Sequence, residues 1–183
     1  MYKILKKHHF IFNEYSIIPI REEDKFKIMK WRNEQIYHLR QTSLLTKANQ
    51  NEYFKNIIKN QFNETNPTQI LFSFLKNDIC IGYGGLVHIN WADKNAEISF
   101  IMNTKFEKDQ FSQLWSSFLT LLEKVAFEEL KFHKIFTYAF DLRPNLYKVL
   151  EECNYYNDAI LKEHCFYKNK YIDVVIHSKI NYS

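Results

Sequence analysis

A chain of 183 residues, 46% apolar and 17% aromatic, can bury roughly two thirds of its unfolded surface in one core, which excludes a disordered polymer. Its formal charge of +4, from 25 basic and 21 acidic residues scattered along the sequence, is too mild for a nucleic-acid partner but suits a local basic cleft that steers an anionic small molecule. Cys80, Cys153 and Cys165 form an odd set without a CxxC pair, so neither disulfides nor a metal site are expected. With no apolar run of roughly 20 residues and no signal-peptide pattern, the expectation is a soluble, cytoplasmic protein with no membrane partner.

Residues 1–14 read as an N-terminal extension of a single domain spanning 1–183, with the KKHH cluster from Lys6 to His9 as a solvated tail. YSIIPI, residues 15–20, is a first strand that Pro19 places near an edge or a strand end. In REEDKFKIMKWRNE acids occupy the first turn of a helix, where the dipole favours them, and Phe26, Met29 and Lys30 mark one side. Thr46 caps a second helix carrying Tyr53, Phe54, Ile57, Ile58 and Phe62 at helical spacing, which ends before Pro67.

QILFSFLKND and ICIGYGGLVHIN predict a hairpin turning at Lys76 to Asp78, and NAEISFIMN predicts a third strand. Phe111, Leu114, Trp115, Phe118, Leu122, Val125 and Ala126 mark the longest amphipathic helix, which runs to the neighbourhood of Phe132. KIFTYAFD is a strand, LRPNLYKVLEECN a short helix opened by Pro144, and the remainder two strands around Lys168 to Lys170. Front hairpins with a strand-helix-strand unit in the middle define a mixed α/β (α+β) sheet, mostly antiparallel.

That order, with IGYGGLV, NAEISFIMN, AFEELKFHKIFTYAFD and KYIDVVIHSKI in sequence over residues 15–180, resembles the GNAT N-acetyltransferases, especially the branch that includes ribosomal-protein alanine acetyltransferases. The resemblance implies a twisted sheet with a central parallel strand pair that splays apart, about four flanking helices, and acetyl-CoA as co-substrate. The pantetheine arm would lie between Glu97 to Asn103 and Lys134 to Asp141, with a backbone N–H near Ile101 or Met102 polarising the thioester carbonyl. Family members follow the first of these strands with a Q/R-x-x-G-x-G/A loop for the pyrophosphate. Here the aligned stretch is EKDQFS, Glu107 to Ser112, without glycine and with Glu107 and Asp109 adding negative charge. The start of a helix at Gln110, Phe111 and Ser112, with Asn103, Lys105 and Lys108 nearby, is what remains to hold the phosphates.

Transfer to an amine needs a group that takes its proton. Glu97 resembles the glutamate many members carry in an AEI-type strand; read from the residues alone, it is equally a solvent-facing carboxylate on an alternating strand. His88 lies on the strand before, and histidine is a side chain suited to proton transfer. Alignment to the family sets Arg143 where an asparagine contacts CoA and Leu150 where a thiolate-protonating tyrosine stands, with Tyr147 one turn earlier as its substitute and Phe140 on the splayed strand beside the cofactor. WRN at Trp31 to Asn33, followed by Arg40, looks like the entry of GNAT members that acetylate nucleotide-linked amino sugars. Arg32 and Arg40 would clamp a diphosphate, Trp31 would stack on a ring and Trp91 would shape the pocket. The acceptor expected is thus a small-molecule amine, with a protein N-terminus or a non-catalytic GNAT-like binding module as alternatives. The aromatic closing hairpin, HCFYKNKYIDVVIH, fits an acceptor wall and a homodimer interface equally.

Overall fold

Asparagines and aspartates that tolerate left-handed backbone punctuate the strands. In the computed structural model, which describes residues 1–182, β1 (Phe10–Phe12) and β2 (Tyr15–Pro19) meet at Asn13, whose φ is 53°. β3 (Ile70–Lys76) and β4 (Ile79–Asn90) turn at Asn77 and Asp78, with φ of 47° and 64°. β5 is Asn95–Met102 and β6 is Lys134–Phe140. β7 (Tyr156–Tyr167) and β8 (Lys170–Ile180) turn at Lys168 and Asn169. These strands form an 8-stranded sheet in the order β1-β2-β3-β4-β5-β6-β8-β7. Every neighbour pair is antiparallel except β5 with β6.

Four helical segments cover the sheet. A short 3-10 turn at Glu22–Asp24 leads into α1 (Lys25–Glu34). α2 (Lys47–Tyr53) continues through a π-helical turn at Phe54–Ile58 to Lys59–Gln61. α3 (Phe111–Glu123) runs into a second π-helical turn at Lys124–Glu129, and α4 is Pro144–Glu152. Thr46 accepts from the Asn49 N–H, and Asn49 returns the bond to Thr46, a reciprocal cap. Among the described residues no helix is long and apolar enough to cross a membrane.

Strand alternation sorts side chains onto two faces. Ala96, Ile98, Phe100 and Met102 of β5 pack with Leu114, Phe118 and Leu122 of α3 and Leu146 of α4, and the Phe100 and Phe118 rings stack at 4.1 Å. On the other face Ile101, with Leu71 and Tyr83, meets Ile28 and Trp31 of α1 and Phe54 and Ile58 of α2. The buried side of α1 is therefore Ile28 and Trp31 at i, i+3, and the Phe26, Met29 and Lys30 side faces outward, with Phe26 39% exposed. The segment before β2 is also no free tail: Tyr2, Leu5 and Phe10 are core residues, and the Tyr2 hydroxyl donates to Leu71 O at 3.1 Å and accepts from Leu71 N at 2.7 Å. Lys6 and Lys7 between these anchors are exposed, as their charge requires.

The parallel pair is short. Asn95 pairs with Lys134, Ala96 with Ile135 and Glu97 with Phe136, and there the ladder ends. β5 stays paired with β4 as far as Met102, and β6 with β8 as far as Phe140. Each strand keeps its outer neighbour while the inner edges separate from Ile98 and Thr137 onward.

Candidate active site between the splayed strands

Separation of β5 from β6 leaves backbone groups without a ladder partner. The Asn103 N–H donates to Ile81 O at 2.8 Å and so faces β4. In an antiparallel register with Met102 opposite Gly82 and Ile101 opposite Tyr83, alternate residues face the same neighbour. Ile101 therefore points its N–H at β4, not at the gap, which corrects the expectation for that residue. Phe100 and Met102 present theirs to the opening, past the end of the β5–β6 ladder. Gln35, buried at the end of α1, donates to Met102 O at 2.7 Å and pins that peptide.

A cavity of about 380 Å³ fills the gap. Phe100, Trp115 and Leu146 line it from the face that carries α3 and α4, while Glu97, Ser99 and Arg32 line it from the face of α1 and α2. It thus passes through the sheet, giving two separate approaches to one point. Phe140 and Arg143 sit on its β6 side. The Arg143 guanidinium lies 6.0 Å over the Phe111 ring, with Nη1 3.2 Å from His38 Nε2. Burial and Arg143 push His38 down to about 3, so the imidazole is neutral at physiological pH.

Glu97 is the one carboxylate lining the cavity among the described residues, and it is buried. Burial raises its pKa from the ordinary carboxylate value, while the Arg40 guanidinium and His88 pull in the other direction. Arg40 Nη2 donates to Glu97 Oε1, and its guanidinium lies 4.7 Å over the Tyr138 ring. His88 Nε2 stands 3.9 Å from Glu97 Oε2. His88 has a φ of 48° and falls where the β4–β5 register shifts between Val87 and Asn90. A β-bulge in the left-handed region turns this side chain toward the carboxylate.

The glycine-free loop has a physical explanation. Between Asn103 and Ser112 no residue has a positive φ, because a 3-10 turn at Thr104–Phe106 and the bond from Gln110 N to Phe106 O carry the chain into α3. Asn103 Oδ1 accepts from Lys105 N at 3.2 Å, so this asparagine caps the turn. Gln110 supplies no side-chain cap to α3, and helix geometry leaves the first-turn N–H groups of Phe111, Ser112 and Gln113 without intrahelical acceptors. Lys105 and Lys108, a few residues before them in the chain, are exposed, and Glu107 accepts from the Tyr37 hydroxyl at 3.4 Å. The residues present fit a pyrophosphate: helix-end donors, exposed cations and Arg143 in the cavity wall.

Other expected site residues lie elsewhere. Trp31 is 3% exposed and belongs to the α1–α2 core, so its ring has no face for a ligand. Asn33 donates to Leu45 O at 2.9 Å and accepts from Leu45 N at 2.8 Å, organising the loop between α1 and α2. Trp91 donates to Pro67 O and packs edge-on against Phe132 at 5.2 Å, outside the cavity. Tyr147 donates to Asp141 Oδ1 at 3.0 Å and stacks on His177. Burial and Asp141 push its phenol well up, which makes it a poor proton donor to a leaving thiolate. Arg32 does reach the cavity. Sequence reasoning missed Gln35, His38 and Tyr138, whose importance comes from long-range contacts that no local pattern encodes. In the closing hairpin Cys165 approaches the Tyr138 hydroxyl at 3.7 Å, while Phe166 and Tyr171 are 65% and 64% exposed.

A family model described as Acetyltransferase (GNAT) domain matches residues 17–176. The chain is similar to a crystal structure of spermidine N-acetyltransferase from Vibrio cholerae in complex with CoA and spermine, with a TM-score of 0.80 and 17% identity over 92% of this chain and 96% of that one. Mutant forms of the spermidine/spermine N-acetyltransferase SpeG from Vibrio cholerae give a TM-score of 0.76 at 18% identity, over 92% and 95% of the two chains. A dodecameric structure of spermidine N-acetyltransferase from the same organism, in an intermediate state, gives 0.74 at 19%, again over 92% and 95%. At these identities the likeness is one of fold. A comparison with curated proteins gives no match. With the family model covering nearly the whole sheet and the splayed pair at its centre, the chain belongs to the GNAT acetyltransferases and is an N-acyltransferase that uses acetyl-CoA.

Proposed function

We propose that the protein acetylates the primary amine of a small, negatively charged acceptor, the class to which nucleotide-linked amino sugars belong. The observation that carries this reading is the charge of the cavity wall. Arg32, Arg40 and Arg143 line it, against Glu97 alone. A field of that sign concentrates anions and repels a polycation.

In this reading Glu97 accepts the proton from the attacking amine. Its desolvated carboxylate is a stronger base than one in water, and Arg40 keeps it charged until the acceptor arrives. The Met102 and Phe100 N–H groups are the donors available to the thioester carbonyl. The thioester supplies an activated acyl group; Arg143, Lys105, Lys108 and the open end of α3, from Phe111 and Ser112, are the groups suited to hold the phosphates of its carrier.

A second reading, acetylation of a polyamine, is favoured by the substrates named for the Vibrio cholerae structures. An acetylation assay that follows thiol release separates the two. A uridine-diphosphate amino sugar is expected to give a kcat/KM at least tenfold above spermidine and above a peptide with a free N-terminus. The reverse order for spermidine would overturn the anionic-acceptor reading, and a peptide in first place would favour a protein N-terminus.

A further inference from the structure

Beside the cleft, on the face of α1 and α2, lies a second chamber of about 230 Å³ walled by Ile28, Leu45, Phe54 and Leu71. Arg32, Gln69, Val87 and Ser99 line both spaces. Val87 is the cross-strand partner of Glu97, and Ser99 stands two residues beyond Glu97 on the same face. Two strand residues advance about 7 Å, so the junction of the two spaces lies within reach of a compact molecule whose amine is at Glu97.

Arg32 spans this junction. Nη1 donates to the Tyr83 hydroxyl at 2.7 Å and Nε to Gln41 Oε1 at 3.1 Å. Those bonds use only part of a guanidinium that carries five N–H donors. Arg21 has Asp24 and Arg40 has Glu97, whereas among the described residues no carboxylate forms an ion pair with Arg32. Withdrawing a guanidinium from water costs energy that neutral partners only partly return, and an arriving anion offsets it with forked hydrogen bonds.

We propose that the second chamber is the subsite that selects the acceptor: its apolar walls take the part of the molecule remote from the amine, and Arg32 binds a phosphate or carboxylate carried there. The inference rests on the reading of Glu97 as the point of transfer. It defines the acceptor class as compact amines with an anionic group about 7 Å from the nitrogen. It disfavours polyamines, which would set a second ammonium against Arg32.

The test is calorimetric binding to the full chain saturated with CoA, using two matched pairs: glucosamine 6-phosphate with glucosamine, and 6-aminohexanoate with hexylamine. The first pair reports a phosphate, the second a carboxylate. At least one member that carries the anionic group is expected to bind tenfold or more tightly than the partner that lacks it. Arg32→Gln is expected to abolish that preference and Arg32→Lys to keep part of it, because the charge remains while the fork is lost. Should Arg32→Gln not fold, Tyr83→Phe, which releases the guanidinium from its anchor, is expected to reduce the preference severalfold. No anionic preference in the native protein for either pair, or a preference that survives in Arg32→Gln, overturns the subsite. Anionic preference without acetyl transfer to the same molecules would instead defeat the assignment of Glu97 and leave the subsite standing.

Discussion

Replacing Glu97 with glutamine is expected to lower kcat/KM by about 10²–10⁴-fold, the range for loss of a general base, with the fold intact. The glutamine has the volume of the glutamate, and the Arg40 partner left behind is 45% exposed, so water can solvate it. The pH profile gives a second signature. Glu97 works as a base only when ionised, and burial holds its pKa above the usual carboxylate value. The wild-type kcat/KM must therefore fall as pH drops through that raised pKa, and the glutamine variant must lose this acidic limb. Residual activity within threefold of wild type, with the limb unchanged, would remove Glu97 from the chemistry.

Gly84→Ala is expected to destabilise the protein by about 3 kcal/mol, the upper end of what overpacking costs. A Cβ at Gly84 would lie 2.1 Å from Ser99 O, 2.8 Å from Phe100 Cα and 2.9 Å from Phe118 Cζ. The first two contacts are backbone of β5, and the third is a ring already stacked on Phe100. None can yield without moving the strand that carries Glu97 and Met102, so weaker acetyl-CoA binding should accompany the loss of stability. Gly82→Ala is expected to cost less, since its nearest contact, also backbone, is 2.9 Å, to Ile101 O. Urea unfolding of the two variants reads the difference; a cost below 1 kcal/mol for Gly84→Ala would show that β4 and β5 are not held as closely as described.

Most of the fold was legible because its signals are local. Asn77-Asp78 and Lys168-Asn169 mark turns, Thr46 marks a cap, Pro144 opens a helix, and the Leu114, Phe118, Leu122 spacing marks the face of α3. The N-terminal segment was misjudged because the charges of Lys6 and Lys7 dominate a stretch whose structural content is Tyr2, Leu5 and Phe10. The site was legible only in part. Glu97 stands out within an apolar strand, but nothing in the spacing pairs it with Arg40, 57 residues away. The side of β5 to which Ile101 turns its N–H depends on register with β4, and the left-handed bulge at His88 has no glycine to announce it. Trp31 carries the aromatic surface a ligand would use, yet one helical turn after Ile28 it is drawn into the core.

The glycine-free approach to α3 needed structure to interpret, because a glycine is required only where the backbone takes a positive φ or a ligand comes closer than a Cβ allows. This loop takes no positive φ, so the first condition does not arise, and the cations and open helix end beside it suit a pyrophosphate. Isothermal titration of acetyl-CoA into the full chain is the decisive measurement. One molecule bound per chain, with affinity that weakens as salt is raised against the Lys105, Lys108 and Arg143 contacts, is the expected result. No heat of binding at millimolar acetyl-CoA would contradict it.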